Sequence, residues 1–387
     1  MISSTTAQTV NDPDILYVNI NCTNLDNIDQ TPKPLTYTET RSSPILYYPS
    51  NFYMSIVKFS IDTQTLPVYI MPIQPNQSDP NLSTLQVGFV YNGDVSNHLY
   101  STSQYLQFIP QIKNGPVPNA PNQNNPPVQD NSQEYYNIFT YEYLVGLINT
   151  AIASAYADIN TQITSIALGD TLLSTTPPIM IWNNSSLTAT INYDGSGISG
   201  QTITDQPNLQ MNNALYSIFS SFNAVISGVY YNNLLNATLI WNTVGSLSSV
   251  SVPTYTITQE YDTTSNINPV TGLVFTSNSI PIVPEAISKP SLSYNNTQLS
   301  NFGSNNNTAN IITDFGTDAL YKPNVYYVPS AQYRYTQLIS QKPFYTIDIS
   351  VYYRIKTGDL VPFRLASGGN LTMKMLFQKK DTIGGIK

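Results

Sequence analysis

Tyr345-Thr346-Ile347-Asp348-Ile349-Ser350-Val351-Tyr352-Tyr353-Arg354-Ile355 is the stretch that decides the fold. Successive strand residues point to opposite faces, so Tyr345, Ile347, Ile349, Val351, Tyr353 and Ile355 share one side and Thr346, Asp348, Ser350, Tyr352 and Arg354 the other. One apolar and one polar face define an antiparallel strand lying between a core and solvent. The same period returns near the C-terminus, where Leu371, Met373, Met375 and Phe377 alternate with Thr372, Lys374, Leu376 and Gln378. It returns again near the start, where Leu16, Val18 and Ile20 alternate with Tyr17, Asn19 and Asn21. Residues 52–61 and 66–73 read as further strands, the second interrupted at Pro67 and Pro72. Residues 85–91 lead into Asn92-Gly93, the signal of a two-residue hairpin turn.

The middle of the chain has another rhythm. Residues 113–133 concentrate Pro and Gly among Asn and Gln, the composition of a loop or linker. Tyr141, Leu144, Val145, Ile148, Ile152 and Ala155 then recur at helical spacing and predict a helix over 139–159. Met211, Leu215, Ile218, Phe219, Phe222 and Ile226 predict a second helix, ending near Gly228 as a C-cap. Between them, 179–182 and 187–193 predict a short hairpin. The expected organisation is therefore a mainly β unit made from both ends of the chain, residues 1–134 and 246–387, around an α+β insertion at 135–245. No period of 20–50 residues repeats, which argues against solenoids and propellers.

Charge falls in blocks. Residues 114–288 contain no Lys or Arg and ten acids, whereas residues 289–387 hold 11 of the 15 basic residues against five acids. Charged residues make up 10% of the chain, where a soluble domain commonly has about a quarter. The surface must be built from Asn, Ser, Thr, Gln and Tyr, which suits packing against copies of the same chain better than a freely diffusing enzyme. A genome rich in A and T would explain the Asn excess but not the missing lysine. A hydrophobic content of 41% with 29 Tyr is enough for a core, and 387 residues suggest two packing units. The single cysteine, Cys22, excludes an intramolecular disulfide. The first 14 residues lack the basic start and apolar core of a signal peptide, and no apolar run approaches the roughly 20 residues of a membrane-spanning helix. A soluble protein made in a cytosolic compartment is expected.

Catalytic chemistry is poorly provided for. His98 is the only histidine and follows the polar loop Gly93-Asp94-Val95-Ser96-Asn97, with no Gly-x-Ser-x-Gly elbow anywhere to complete a triad. Cys22 lies in a strand-like segment without an activating motif and reads as a small hydrophobe. One His and one Cys exclude a structural zinc site. Gly195, Gly197 and Gly200 match a dinucleotide-binding spacing, but no helix opens there, so a turn is the simpler reading. Glu260 and Asp262 lack the spacing of a calcium loop. The sequons at Asn81 and Asn236 are expected by chance in so Asn-rich a chain. Lys374, Lys379, Lys380 and Lys387, with Arg354, Lys356 and Arg364, form a basic C-terminal segment. It could meet phosphate, but without a base-reading motif it reads better as a subunit contact or a solvated face. No catalytic, cofactor-binding or metal residue is assigned, and no cofactor is expected.

The terminal segments resemble a known family. Glu39-Thr40-Arg41 and Pro44-Ile45-Leu46 lead into Phe52-Tyr53-Met54-Ser55-Ile56-Val57-Lys58-Phe59-Ser60-Ile61-Asp62-Thr63, then Leu66-Pro67. Ser279-Ile280-Pro281-Ile282-Val283-Pro284-Glu285 and Tyr333-Arg334-Tyr335-Thr336-Gln337-Leu338 follow. Asp348-Ile349-Ser350-Val351-Tyr352-Tyr353, Gly358-Asp359-Leu360-Val361-Pro362 and Lys374-Met375-Leu376-Phe377-Gln378-Lys379-Lys380 complete the series. Together they are similar to penton proteins of virophages and polinton-like viruses. After the late strand the family often has an aromatic-acid-lysine run, and this chain departs from it with Tyr353-Arg354-Ile355-Lys356-Thr357. The resemblance implies a single jelly-roll, an antiparallel β-sandwich, that forms homopentamers at the five-fold vertices of an icosahedral capsid. It implies contact with a neighbouring major capsid protein and location in the virion after synthesis in the host cytoplasm. A host-cell or helper-virus surface is expected as a further partner of the insertion, and neither specific nucleic-acid recognition nor a membrane span is expected. Two other readings stay open here: a viral attachment module binding a receptor or glycan, and a double jelly-roll major capsid protein. An enzyme comes last.

Overall fold

The computed structural model describes residues 12–25, 31–74, 77–91, 98–111, 117–121, 129, 133–165, 176–194, 207–227, 235–244, 254–286, 293–294, 297–298, 308–316, 323–328 and 334–383. Eight strands drawn from both ends of the chain form a sandwich. They are β1 (Ile15–Thr23), β2 (Thr36–Thr40), β3 (Phe52–Asp62), β4 (Val270–Thr276), β5 (Ile311–Gly316), β6 (Asn324–Tyr327), β7 (Thr346–Ile355) and β8 (Asn370–Lys379). One sheet has the order β1-β8-β3-β6 and the other β2-β7-β4-β5, all pairs antiparallel. A first strand beside the last, with every connection crossing between the two sheets except β4–β5, which pair within one, is the single jelly-roll.

The alternation in sequence explains the burial. In β7 Ile347, Ile349, Val351, Tyr353 and Ile355 are all buried and the residues between them half-buried. Tyr345, the first of the expected apolar row, precedes the strand and is exposed. β8 sits between β1 and β3 and buries Leu371, Met373, Met375 and Phe377. Leu376, expected on the polar face, is buried as well. The inner faces of the two sheets meet at Phe59 of β3, whose ring lies 5.0 Å from that of Phe275 in β4 and 4.7 Å from that of Phe315 in β5.

The chain leaves this sandwich after β3 and returns at β4. One unit spans residues 1–66 and 270–387, and a second takes up most of 67–269. The insertion is therefore larger than the 135–245 expected, because its pairing is long-range. Leu82–Tyr91 pairs with Asn208–Asn212, Tyr69–Ile70 with Asn137–Ile138, and Thr188–Asp194 with Thr254–Thr258. Segments 66–73 and 85–91 thus serve the second unit and not the jelly-roll, and the former contributes only a two-residue strand.

Two antiparallel sheets and a long helix build that second unit. One sheet runs Ala224–Ile226, Leu235–Leu239, Asn208–Asn212, Leu82–Tyr91, Leu99–Tyr100, and the other Ile179–Asn183, Thr188–Asp194, Thr254–Thr258, Asn242–Val244. Helix α1 (Tyr141–Ser165) starts where the Thr140 hydroxyl accepts the Tyr143 N–H at 3.3 Å, satisfying one of the free donors of the first turn. Its buried stripe of Leu144, Ile148, Ile152, Ala155 and Ile159 follows the helical period. The helix packs on both sheets. The Tyr156 ring lies 5.5 Å from Phe89 of the first, and its hydroxyl meets that of Tyr193 of the second at 3.1 Å.

Two local expectations are corrected. The helix expected over 211–226 is a strand ending at Asn212, a short helix Asn213–Ile218, a turn, and the strand Ala224–Ile226. The Asn212 side chain accepts the Leu215 N–H at 3.0 Å and starts the short helix. At Asn92-Gly93, Tyr91 pairs with Leu99, so the connection runs over residues 92–98 and is no two-residue turn. Those two residues, like Gly195, Gly197, Gly200, Gly228 and Lys387, lie outside the described residues.

Candidate assembly surfaces

One end of the jelly-roll gathers the four connections β1–β2, β3–β4, β5–β6 and β7–β8. Asn24, just after β1, donates its N–H to Gly369 (3.1 Å) and accepts from the Gly368 N–H (2.8 Å). Its buried side chain donates to the Leu365 carbonyl at 2.9 Å. Gly368 has φ +76, a backbone that glycine adopts without strain. Just after β3, the Thr63 N–H donates to Pro323 before β6 at 2.9 Å. The insertion thus leaves from an end that backbone hydrogen bonds hold together.

At the opposite end Asp348 of β7 fastens the segment after β4. Its carboxylate accepts from the Ser277 hydroxyl and from the N–H groups of Asn278 (2.9 Å) and Ser279 (2.7 Å). Burial opposes its charge, but these donors outweigh burial and hold the carboxyl below its ordinary value. Asp12 likewise accepts the N–H groups of Tyr47 and Tyr48, each at 2.9 Å.

The outer faces of the two sheets differ. On the β2-β7-β4-β5 sheet, Asp314 pairs with Arg334 at 2.6 Å and Arg354 at 3.1 Å, so both arginines share one acid partner. On the β1-β8-β3-β6 sheet, Lys374 lies opposite Asn19 on one side and Lys58 on the other. Two residues on, Thr372 lies between Asn21 and Ser60, with Tyr326 beyond. This face forms a concavity of about 350 Å³.

The basic C-terminal segment is not one patch. Lys374 lies mid-sheet, Lys379 meets Asp14 at 3.5 Å, and Lys380 donates to the Ser50 carbonyl. Arg354 is ion-paired, Lys356 is pushed below its ordinary value by burial, and Arg364 is half-buried. Charge instead follows the two units: 11 acids and one base fall between residues 67 and 269, and 12 acids and 14 bases fall outside. The remaining candidates are scattered. His98 is exposed just before the strand Leu99–Tyr100, and Cys22 is half-buried in β1, where burial raises its thiol. Asp262 accepts from the N–H and hydroxyl of Thr264, a local turn, while Glu260 stays exposed. Asn81 accepts from the Tyr135 hydroxyl, and Asn236 is buried in a strand. Among the described residues no three His, Cys, Asp or Glu side chains come together as metal ligands, and no helix is long and apolar enough to cross a membrane. The residues that matter for these surfaces, Asn24, Asp348 and the Lys58–Lys374 pair, carry no motif. Asp348 falls on the regular polar face of its strand, so the sequence does not single it out either.

A single jelly-roll with one large insertion is the build of a class, that of structural jelly-roll capsid proteins. The chain belongs to the Sputnik minor capsid protein V18/19 family, whose pattern it matches over residues 16–379. It is a capsid protein of the virion. It is 32% identical over 156 residues to the uncharacterized protein V18 of Sputnik virophage, which is 39% of this chain and 88% of V18. It is 30% identical over 129 residues to the structural protein V19 of the same virophage, 32% of this chain and 55% of V19. A chain of the 3.5 Å cryo-EM structure of Sputnik virophage superposes with a TM-score of 0.75 at 25% identity, covering 96% of this chain and 99% of that one. The mavirus penton protein superposes with a TM-score of 0.60 at 18% identity, covering 95% and 100%.

Proposed function

We propose that the chain is a penton protein, five copies of which close the five-fold vertices of an icosahedral capsid and contact a neighbouring major capsid protein. The observation that carries this reading is the likeness, over nearly the whole of both chains, to a virophage virion chain and to a penton protein. The two outer sheet faces support it, since a ring needs each subunit to offer two different surfaces that fit one another. A double jelly-roll is disfavoured: the second unit is built on a 25-residue helix between two sheets. The role is mechanical and not catalytic. Mass photometry of the purified full chain is expected to show a species at five times 42.8 kDa. Monomer alone at micromolar concentration counts against the reading.

The base-poor insertion points away from the packaged genome in this reading, because its acids would be repelled by phosphate. That leaves it free to meet a host-cell or helper-virus surface. On intact virions a protease cutting after aromatic residues is expected to cleave within 67–269. Cleavage confined to residues 289–387 would contradict the orientation.

A further inference from the structure

Lys58 of β3 and Lys374 of β8 stand directly opposite one another. The β3–β8 ladder has a bulge at this point: Lys374 pairs with Lys58 and Met375 with Ile56, leaving Val57 as the extra residue of β3. Bulges re-aim side chains and recur where a surface does something specific. Like charges opposite each other across a ladder destabilise it. Among the described residues neither lysine has an ion pair, and the Lys374 ammonium rests 4.6 Å from the centre of the Tyr17 ring. Asp62, the next acid along β3, is four residues away, roughly 13 Å at the rise of a strand. The pair lines the concavity with Asn19, Asn21, Ser60 and Tyr326, all polar and uncharged. Tyr326 is 67% and Tyr17 49% exposed. Two lysines without an acid partner among the described residues, hydrogen-bonding side chains and exposed aromatic rings make a recess suited to a carboxylate-bearing segment.

Several of the jelly-roll's described carboxylates are already engaged. Asp14 holds Lys379, Glu39 holds Arg41, Asp314 holds two arginines and Asp348 holds residues 277–279. The complement is the second unit, with its 11 acids and one base. In a ring every copy shows the same face to the same neighbour, so one acid-to-lysine contact is repeated at every interface. The insertion also leaves the sandwich at Asp62, on the strand that carries Lys58. We infer that the Lys58–Lys374 recess receives an acidic segment of the 67–269 unit of an adjacent copy. This inference rests on the pentamer reading and names the contact that holds it.

The test mixes isotopically light and heavy full-length chains in the dissociated state, reassembles them, and applies a zero-length carbodiimide cross-linker that joins lysine to carboxylate. Digestion must use a protease cutting at aromatic residues, since trypsin has no site in 114–288. Light-to-heavy links from Lys58 or Lys374 to acids within 67–269 are expected. The K58E/K374E variant is expected to lose the pentamer while keeping its melting temperature, and K58Q/K374Q to weaken the pentamer less. Pentamers without such links, undisturbed by the reversal, overturn the inference and leave the pentamer reading intact. Links confined to one isotope assign the recess to the chain's own second unit and overturn it too. So does protection of both lysines from acetylation by DNA but not by assembly. A wild-type chain that stays monomeric overturns both readings.

Discussion

The rings of Phe59 in β3 and Phe275 in β4 lie 5.0 Å apart, centre to centre, although 215 residues separate them in the chain. Phe315 and Tyr327 close on Phe59 at 4.7 and 5.5 Å, so one ring joins both sheets of the jelly-roll across the insertion. Phe59→Ala is expected to destabilise the jelly-roll by about 3–5 kcal/mol, measured by denaturant unfolding. A loss below about 1 kcal/mol would show that this cluster is not the centre of the core. Replacing residues 67–269 with a short Gly-Ser linker is expected to leave a cooperatively folding sandwich, and an insoluble product would mean that the insertion is needed to bring β3 and β4 together.

Truncation before Leu371 removes β8, the strand between β1 and β3. That leaves the apolar sides of Val18, Ile20, Phe59 and Ile61 without their central partner. At about 25 cal/mol per Å² the buried residues of β8 contribute several kcal/mol. The truncated chain is expected to be insoluble. A soluble product with a single cooperative transition would contradict the placement of β8 at the centre of its sheet.

What could be read from sequence was local. β7 and β8 declared themselves because an apolar side chain at every second position leaves few other structures able to bury them, and α1 did so by its 3.6-residue period. The expected helix over 211–226 failed for a related reason. Asn212 caps a short helix, and turns from Phe219 to Tyr216 and from Phe222 to Phe219 continue its three-residue spacing, imitating a longer helix. The insertion boundary was hidden because the strand at Leu82–Tyr91 finds its partner at Asn208–Asn212, more than a hundred residues later. The recess was hidden too: Lys58 and Lys374 are unremarkable alone and meaningful only once β3 and β8 are paired.

Asp348 gives the chain an acid-sensitive fastening. Its folded carboxyl lies below the ordinary value, so its stabilisation is complete above the unfolded carboxylate pKa of about 3.9. It is lost as pH falls through the lower folded value. Asp348→Asn is expected to lower stability near neutral pH by roughly 2 kcal/mol, and to lose less on acidification than the parent. Parallel pH–stability curves for the two proteins would remove Asp348 from this role.

Ile152 of α1 is fully buried between the sheets of the second unit. Ile152→Ala is expected to cost about 2–5 kcal/mol there. Scanning calorimetry should show the transition of the second unit moving down while that of the jelly-roll stays in place. An equal shift of all unfolding heat would show that the two units unfold as one.

The most direct test of the penton assignment is a cryo-EM map of the virion at a resolution that shows side chains. Five copies of the jelly-roll are expected around each five-fold axis, with the aromatic cluster of Phe59, Phe275 and Phe315 recognisable in every copy. Finding the chain instead in the hexavalent faces of the shell, with another protein at the vertices, would contradict it.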